Sequence, residues 1–141
     1  MRGKYYLLAL SLSCVGLSNT AYAKPETIES LTHACVEAGS TAAQIECFKS
    51  TINGLNQRMD SVYNKGHSYL EKRVEESKGS DKQFDAQKQL SFLEKSQKAW
   101  LEYRDNYCDF YEYSEGSIAP VRASICMVSV TVERIQELKH M

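Results

Sequence analysis

Four cysteines remain in residues 24–141 once a short N-terminal targeting segment is set aside. They are Cys35, Cys47, Cys108 and Cys126. An even number of cysteines in a short exported chain indicates two disulfides, because the compartment is oxidising and a small core gains from covalent cross-links. A zinc site is the alternative, since His33 lies close to Cys35, but the chain has no CxxC pair and only three histidines. We therefore expect a small domain braced by two disulfides.

The first residues have the features of a cleavable export signal. Arg2 and Lys4 provide a positive N-terminal region, and the apolar run over residues 5–17 is too short to span a bilayer as a helix. Ala21-Tyr22-Ala23 then places small residues at the two positions that a signal peptidase recognises. This pattern predicts a signal peptide over residues 1–23, cleaved after Ala23.

Cys14 raises the alternative of a lipoprotein. A lipid-attachment site normally has leucine three residues before the cysteine, and this chain has Ser11 there. We therefore expect a periplasmic or secreted protein whose mature part, residues 24–141, has the length of a single domain.

The charge of the mature chain limits its partners. The full sequence has 17 basic and 18 acidic side chains. Loss of Arg2 and Lys4 leaves 15 against 18, a formal charge of −3. A small negative charge of this kind argues against a protein that binds nucleic acid or inserts stably into an anionic membrane.

Three segments have helical periodicity, and hardly any stretch alternates as a strand would. The first begins at a Thr41–Gln44 capping box and ends near Gly79, with a bend or break expected near Gly66. Its apolar stripe comprises Ile45, Phe48, Ile52, Leu55, Met59, Val62 and then Tyr69 or Leu70. The second begins at a Ser80–Gln83 capping box and runs to about Tyr113. Its stripe comprises Ala86, Leu90, Leu93, Gln97, Trp100, Leu101, Arg104, Cys108 and Tyr111.

The third segment follows a turn at residues 114–117, with Pro120 in its first helical turn. Its stripe comprises Val121, Ile125, Val128, Val132, Ile135 and Leu138. The simplest architecture is all-α: a small disulfide-braced antiparallel helical bundle of two long helices plus a third.

This topology favours one disulfide pairing. Cys108 and Cys126 lie at equal distances on either side of Ser117, so folding at that turn brings them level on facing helices. Cys35 and Cys47 are then left to tie the N-terminal segment to the first helix. Four cysteines allow three pairings, and the sequence does not exclude the other two.

No group of residues indicates catalysis. Acidic side chains are plentiful, but most lie off the apolar stripes, where a solvated charge is the default; they are Glu94, Glu102, Asp105, Asp109, Glu112 and Glu115. His33, His67 and His140 are scattered, and no phosphate-binding, dinucleotide-binding or metal-binding motif is present. We expect a protein that is not an enzyme and that uses no cofactor or metal.

Two polar residues, Gln97 and Arg104, interrupt the apolar stripe of the second segment. A buried guanidinium without a partner is very costly, so Arg104 needs one. It could bind an anionic ligand, or it could pair with a carboxylate such as Asp60 and bridge two helices.

Tyrosine is enriched, with nine in the chain. Tyr103, Tyr107 and Tyr111 are four residues apart, so they can form one ridge on a helix, with Tyr113 just beyond. Such a ridge can be a contact surface, because tyrosine offers a large area and a polar tip. It can also complete a thin core and leave its hydroxyls in water. The same ridge could support a homodimer.

The segment from Gln97 to Cys108 resembles the LprI-type lysozyme inhibitor family, whose hallmark is a helix with the pattern Q-x-x-W-x-x-[YF]-R-[DN]-x-x-C. The matching residues are Gln97, Trp100, Tyr103, Arg104, Asp105 and Cys108. The surroundings agree over nearly all of the mature chain, with the early cysteine pair, Leu55-Asn56, Tyr63, Gly116-Ser117, Cys126 and Arg134 before Leu138.

The resemblance implies an exported helical protein that inhibits lysozyme, and it brings no catalytic residue. It also implies that Gln97, Trp100, Tyr103, Arg104 and Arg134 are scaffold positions rather than an inhibitory site. An inhibitor would cover the catalytic cleft of its target, and the braced turn over residues 113–118 is the best candidate to enter it. The expected contact residues are Tyr107, Tyr111, Tyr113, Glu115 and Ser117. The alternative is an envelope structural or stress-related interaction protein without a lysozyme target.

Overall fold

The computed structural model describes residues 27–141, which form four α-helices and contain no strand. The helices are α1 (Ile28–Val36), α2 (Thr41–Glu76), α3 (Gln83–Glu112) and α4 (Ala119–Lys139). Successive contacts from α2 to α3 run in opposite directions along the two helices, because Asn56 bonds Arg104 whereas Arg73 bonds Gln89. The predicted all-α antiparallel bundle is therefore confirmed.

The short helix α1 was missed by the sequence reading. The Thr27 hydroxyl caps it by accepting a hydrogen bond from the backbone N–H of Ser30, and the Ser30 hydroxyl accepts one from the backbone N–H of Thr27. Nine residues carry too few apolar repeats to give a clear periodic signal, and the helix is held in place by its tertiary contacts with α2 and α4.

The predicted cap of α2 was wrong by one residue. Ser40, not Thr41, is the N-cap, and its hydroxyl accepts from the N–H of Ala43 at 3.3 Å. The Gln44 side chain does not accept a hydrogen bond from the backbone N–H of the N-cap residue, as a capping box requires. It donates to the carbonyl of Val36 at 2.7 Å and so links α2 to the end of α1.

The predicted capping box of α3 was also wrong. The helix begins at Gln83, and Lys82 occupies the N-cap without a side-chain bond to the helix. The Gln83 side chain instead accepts from the N–H of Gly79 at 2.9 Å, across the turn that joins the two helices. Gly79 has a φ of +74°, which lets the chain leave α2 and turn back.

Helix α2 continues through both of its interior glycines, so no break occurs at Gly66. Each glycine costs about 1 kcal/mol relative to alanine in a helix interior. Burial of the apolar stripe of α2 against α3 and α4 offsets that cost. Gly54 is exposed, whereas Gly66 is half-buried, and a Cβ on Gly66 would lie 3.9 Å from the Leu93 Cδ2 atom.

The core lies between α2, α3 and α4. Its buried apolar side chains are Phe48, Leu55, Met59, Leu93, Val121, Val128, Ile135 and Leu138. Full burial of such a side chain contributes about 1.5–3 kcal/mol. The predicted stripes face this core, with one exception on α2, where Ile45 is partly exposed. Of the two alternatives for the end of the α2 stripe, Leu70 packs against the core and Tyr69 is exposed.

Both predicted disulfides are present. Cys35–Cys47 joins α1 to α2 with a Cα–Cα distance of 5.3 Å, and Cys108–Cys126 joins α3 to α4 at 5.5 Å. Both bridges lie in the half of the bundle that also contains α1, so this half has four helices and two covalent links.

At the opposite end of the bundle only two helices remain. Arg134 near the end of α4 bonds Gln97 and Ser96, so α4 ends roughly level with Leu93. The beginning of α3 and the end of α2 extend beyond that point as a helical hairpin. We call this hairpin, residues 69–92, the α2–α3 arm.

Replacement of both Cys108 and Cys126 by serine is expected to lower the free energy of unfolding by about 3 kcal/mol, because a loop of this size is no longer closed in the unfolded chain. Urea denaturation of the oxidised proteins measures the difference. Wild-type protein in reductant, which loses both bridges, should fall at least as far. A double variant as stable as the oxidised wild type would contradict the expectation.

Candidate binding surface and buried polar layer

Four of the five signature residues meet in the interior of the bundle. Gln97, Arg104 and Arg134 are buried, and Trp100 is half-buried between them. Tyr103 does not join them, because it lies on the outer surface of α3. We call the group of Gln97, Trp100, Arg104 and Arg134 the buried polar layer.

Trp100 contacts two guanidinium groups. The central carbon of Arg104 lies 5.2 Å from the indole ring centre, and that of Arg134 lies 5.7 Å from it. Both distances are typical of cation–π contacts, which are stronger where water is excluded. The indole therefore holds a residue of its own helix and a residue of α4 in one place.

Each nitrogen of the Arg134 guanidinium has a protein acceptor. Its Nε donates to Gln97 Oε1 at 3.0 Å, one Nη to Glu137 Oε2 at 2.8 Å and the other to Ser96 Oγ at 3.4 Å. The Gln97 amide nitrogen in turn contacts the sulfur of Met59 at 3.5 Å. This chain of contacts ties α4 to α3 and α3 to α2.

The partner of Arg104 differs from the one suggested by the sequence. Its Nε and one Nη reach Asp105 Oδ1 at 2.9 and 2.8 Å, so the carboxylate is the next residue in the chain and not Asp60. The other Nη donates to Asn56 Oδ1 on α2 at 2.9 Å. A neutral amide, rather than a second carboxylate, forms the bridge between the helices. These contacts support the scaffold role of the layer, which stays a prediction.

A row of tyrosines follows the outer side of α3. The rings of Tyr103 and Tyr107 are stacked with centres 5.4 Å apart, and Tyr107 meets Tyr111 edge to face at 5.7 Å. The hydroxyls of Tyr107 and Tyr111 lie 3.2 Å apart, and this hydrogen bond raises the pKa of Tyr107 above its ordinary value. Tyr103 and Tyr107 are exposed, and Tyr111 is half-buried against α4. The rings therefore form a preassembled surface rather than part of the core.

The end of this row is the most exposed apolar region of the disulfide-braced half. Tyr113 is 87% exposed and Phe110 is 72% exposed, with Ile118 partly exposed across the turn. Gly116 has a φ of +105° and so permits the tight turn between α3 and α4. We call the surface formed by Tyr103, Tyr107, Phe110, Tyr111, Tyr113 and Ile118 the aromatic tip.

The expected contact residues lie at this end of the bundle. Glu115 and Ser117 are exposed in the turn next to Tyr113. Phe110 was missed, although its position outside the apolar stripe of α3 and three residues after Tyr107 was a usable signal. The assignment of these residues as partner contacts stays a prediction.

The described residues contain neither a metal-binding cluster nor a helix able to cross a membrane. No three His, Cys, Asp or Glu side chains within residues 27–141 are placed to hold a metal ion. Within the same range, no helix combines the length and hydropathy that crossing a membrane requires.

His67 occupies a bridge between α2 and α3. Its Nε2 lies 3.0 Å from Glu94 Oε1 and its Nδ1 lies 3.3 Å from Glu71 Oε2. The hydrogen bond with Glu94, together with the two negative charges, raises the pKa of His67 above its ordinary value of 6.5, although burial opposes the shift.

Gln97→Leu is expected to lower the free energy of unfolding by about 1–3 kcal/mol, because it leaves the buried Nε of Arg134 without its acceptor. Denaturant titration followed by circular dichroism measures the loss. Gln87→Leu, at an exposed position of the same helix, should change stability by less than about 0.5 kcal/mol. Equal effects of the two substitutions would argue against a structural role for Gln97.

Protonated His67 is expected to stabilise the fold. Since its pKa is higher in the folded state, the contribution is complete below pH 6.5 and is lost as the pH rises through the raised value. The melting temperature should therefore fall from about pH 6 to about pH 8 by more in the wild type than in His67→Gln, and the effect should be small because the site is close to solvent. His140→Gln, at the exposed end of α4, should keep the wild-type slope. The same slope in all three proteins would rule out the His67 contribution.

Comparison with known proteins identifies the family of this chain. The family model described as "Lysozyme inhibitor LprI" matches residues 33–138. An uncharacterized protein of Rhizobium meliloti (strain 1021) is 39% identical over 54 residues, which is 37% of this chain. The chain spans about two fifths (39%) of the length of that relative. No solved structure matches.

The matched range contains all four cysteines of the two disulfides, the complete buried polar layer and the aromatic tip. It covers most of the chain and begins inside α1 and ends inside α4. The chain belongs to the LprI lysozyme inhibitor family.

Proposed function

We propose that this protein is exported and inhibits a lysozyme by covering the catalytic cleft of the enzyme with the aromatic tip. The observation that carries the proposal is the exposure of Tyr113 and Phe110 on a turn whose two flanking helices are joined by Cys108–Cys126. The family supports the choice of a lysozyme as the target, and the exposed turn supports the choice of the contact surface.

The aromatic tip has the properties of a protein-binding surface. Exposed apolar patches on small proteins often mark interaction sites, and tyrosines are among the residues that contribute most to binding energy. The Tyr103–Tyr107 stack and the Tyr107–Tyr111 hydrogen bond hold these rings in place before any partner arrives. Because little side-chain freedom remains to be lost, binding costs less entropy.

The chemistry of the turn suits a cleft that contains carboxylates. Glycoside hydrolases place two carboxyl groups on either side of the bond that they cleave. The hydroxyls of Tyr113 and Ser117 can donate hydrogen bonds to such groups. Glu115 would be repelled by them, so we place it at the edge of the contact rather than at its centre.

Export is supported by the covalent structure. Two disulfides in a small domain are typical of proteins outside the cytoplasm, where thiols are not kept reduced. The signal peptide predicted over residues 1–23 lies outside the described residues, and its cleavage after Ala23 stays part of this proposal.

Tyr113→Ala is expected to weaken inhibition of the target lysozyme by about 10- to 100-fold, since loss of a central aromatic contact commonly costs at least about 2 kcal/mol. The measurement is hydrolysis of cell walls by a panel of lysozyme classes at increasing concentrations of the purified protein. Tyr69→Ala is the matched control, because Tyr69 is also exposed, at 61%, but lies on the α2–α3 arm.

Full lysozyme activity in excess wild-type protein, across all classes tested, would overturn the proposed function. Inhibition that Tyr113→Ala and Tyr69→Ala reduce equally would keep the target but remove the aromatic tip as the contact surface. Light scattering of the wild type and Tyr113→Ala checks whether the tip instead joins two copies of the chain.

A further inference from the structure

A second candidate site lies in the opposite half of the molecule. Where α4 ends, a groove of about 410 Å³ remains open between α2 and α3. Its apolar lining includes Val62, Leu70, Phe92, Leu93, Leu138 and Met141. The groove shares no residue with the aromatic tip, so it is a separate candidate site. Clefts of this size with a mostly apolar lining and few polar groups are typical of small-molecule sites.

Gly66 keeps the groove open. It lines the groove from the middle of α2, where glycine is an unfavourable helix residue. A Cβ at this position would make an ordinary contact with Leu93, and a longer side chain would extend over the space that the groove occupies. The missing side chain thus has a structural effect that Gly54, exposed on the same helix, does not have.

Arg73 gives the groove a charge at one end. Among the described residues that line the groove, it is the only one with a charged side chain. Its guanidinium donates to the amide oxygen of Gln89 at 2.8 Å and lies 5.9 Å from the centre of the Tyr69 ring. Within residues 27–141, no Asp or Glu is within ion-pair distance of it. The ligand that best matches this site is therefore an apolar molecule with an anionic end.

The shape of the groove favours an extended ligand. From Val62 to Arg73, α2 rises about 16 Å. The side chains of α2 that line the groove are distributed over this length, so the groove is elongated along the helix. An apolar groove of this length can hold one extended hydrocarbon chain.

We propose that this groove binds a single-chain fatty acid. The tail lies along the floor formed by Gly66 and Leu93, and the carboxylate pairs with Arg73 at the end of the groove. A planar carboxylate matches the guanidinium fork and can accept two hydrogen bonds from it. Arg73 is the one basic side chain in the described part of the lining, which favours this small head group over a bulky phosphate-containing one.

Isothermal titration calorimetry on the disulfide-bonded protein tests the proposal, with laurate as the probe at concentrations below micelle formation. Dodecyltrimethylammonium has a tail of the same length and the opposite charge, so it should bind at least about tenfold more weakly. Arg73→Gln should remove the preference for laurate. Gly66→Leu should lower laurate affinity at least about tenfold, whereas Gly54→Leu should bind as the wild type does.

Circular dichroism checks that the two leucine variants remain helical, and if Gly66→Leu does not, Arg73→Gln carries the test. The absence of laurate binding to the wild type would overturn the proposal, as would equal affinity for the two probes. A dimer seen by light scattering that Gly66→Leu dissociates, in a protein that ignores laurate, would show that a second copy occupies the groove. Since the probe and the variants differ from those of the lysozyme assay, either proposal can fail alone.

Discussion

The Cys108–Cys126 bridge fixes the end of α3 against the beginning of α4, and the geometry of the braced half follows from that link. A turn between two long helices would otherwise fray, because the last carbonyls and first N–H groups of the helices lack partners within them. With the bridge in place, the turn around Gly116 can expose large apolar side chains without loss of order. The Cys35–Cys47 bridge extends the same constraint to α1 and α2.

The middle of the bundle accommodates two arginines in the interior. Isolated cations there would be very costly. Arg104 and Arg134 both pack against one indole, and each also meets one carboxylate at the edge of the bundle and one neutral amide inside it. Charge is thereby balanced near solvent, while the interior contacts set the register of α2, α3 and α4.

Long elements could be predicted from the sequence, and local detail could not. The periodic stripes located α2, α3 and α4 and their inward faces, since a repeat over many residues averages out exceptions such as Ile45. Helix starts were misassigned because Gln44 and Gln83 made tertiary and turn contacts instead of caps. The need of Arg104 for a partner was predictable, but its identity was not, because many carboxylates were within plausible reach. The groove at Gly66 arises because α2, α3 and α4 differ in length, and no sequence motif indicates that difference.

The chain contains one tryptophan, Trp100, and it is the residue against which both interior guanidinium groups pack. Its indole emission therefore comes entirely from the junction of α3 with α2 and α4. Cations held close to an excited indole shift its emission spectrum according to their position. The intensity and wavelength of the Trp100 fluorescence therefore report whether the two guanidinium groups remain packed against the ring. Loosening of this junction can therefore be followed with the chain's own chromophore, without an added label.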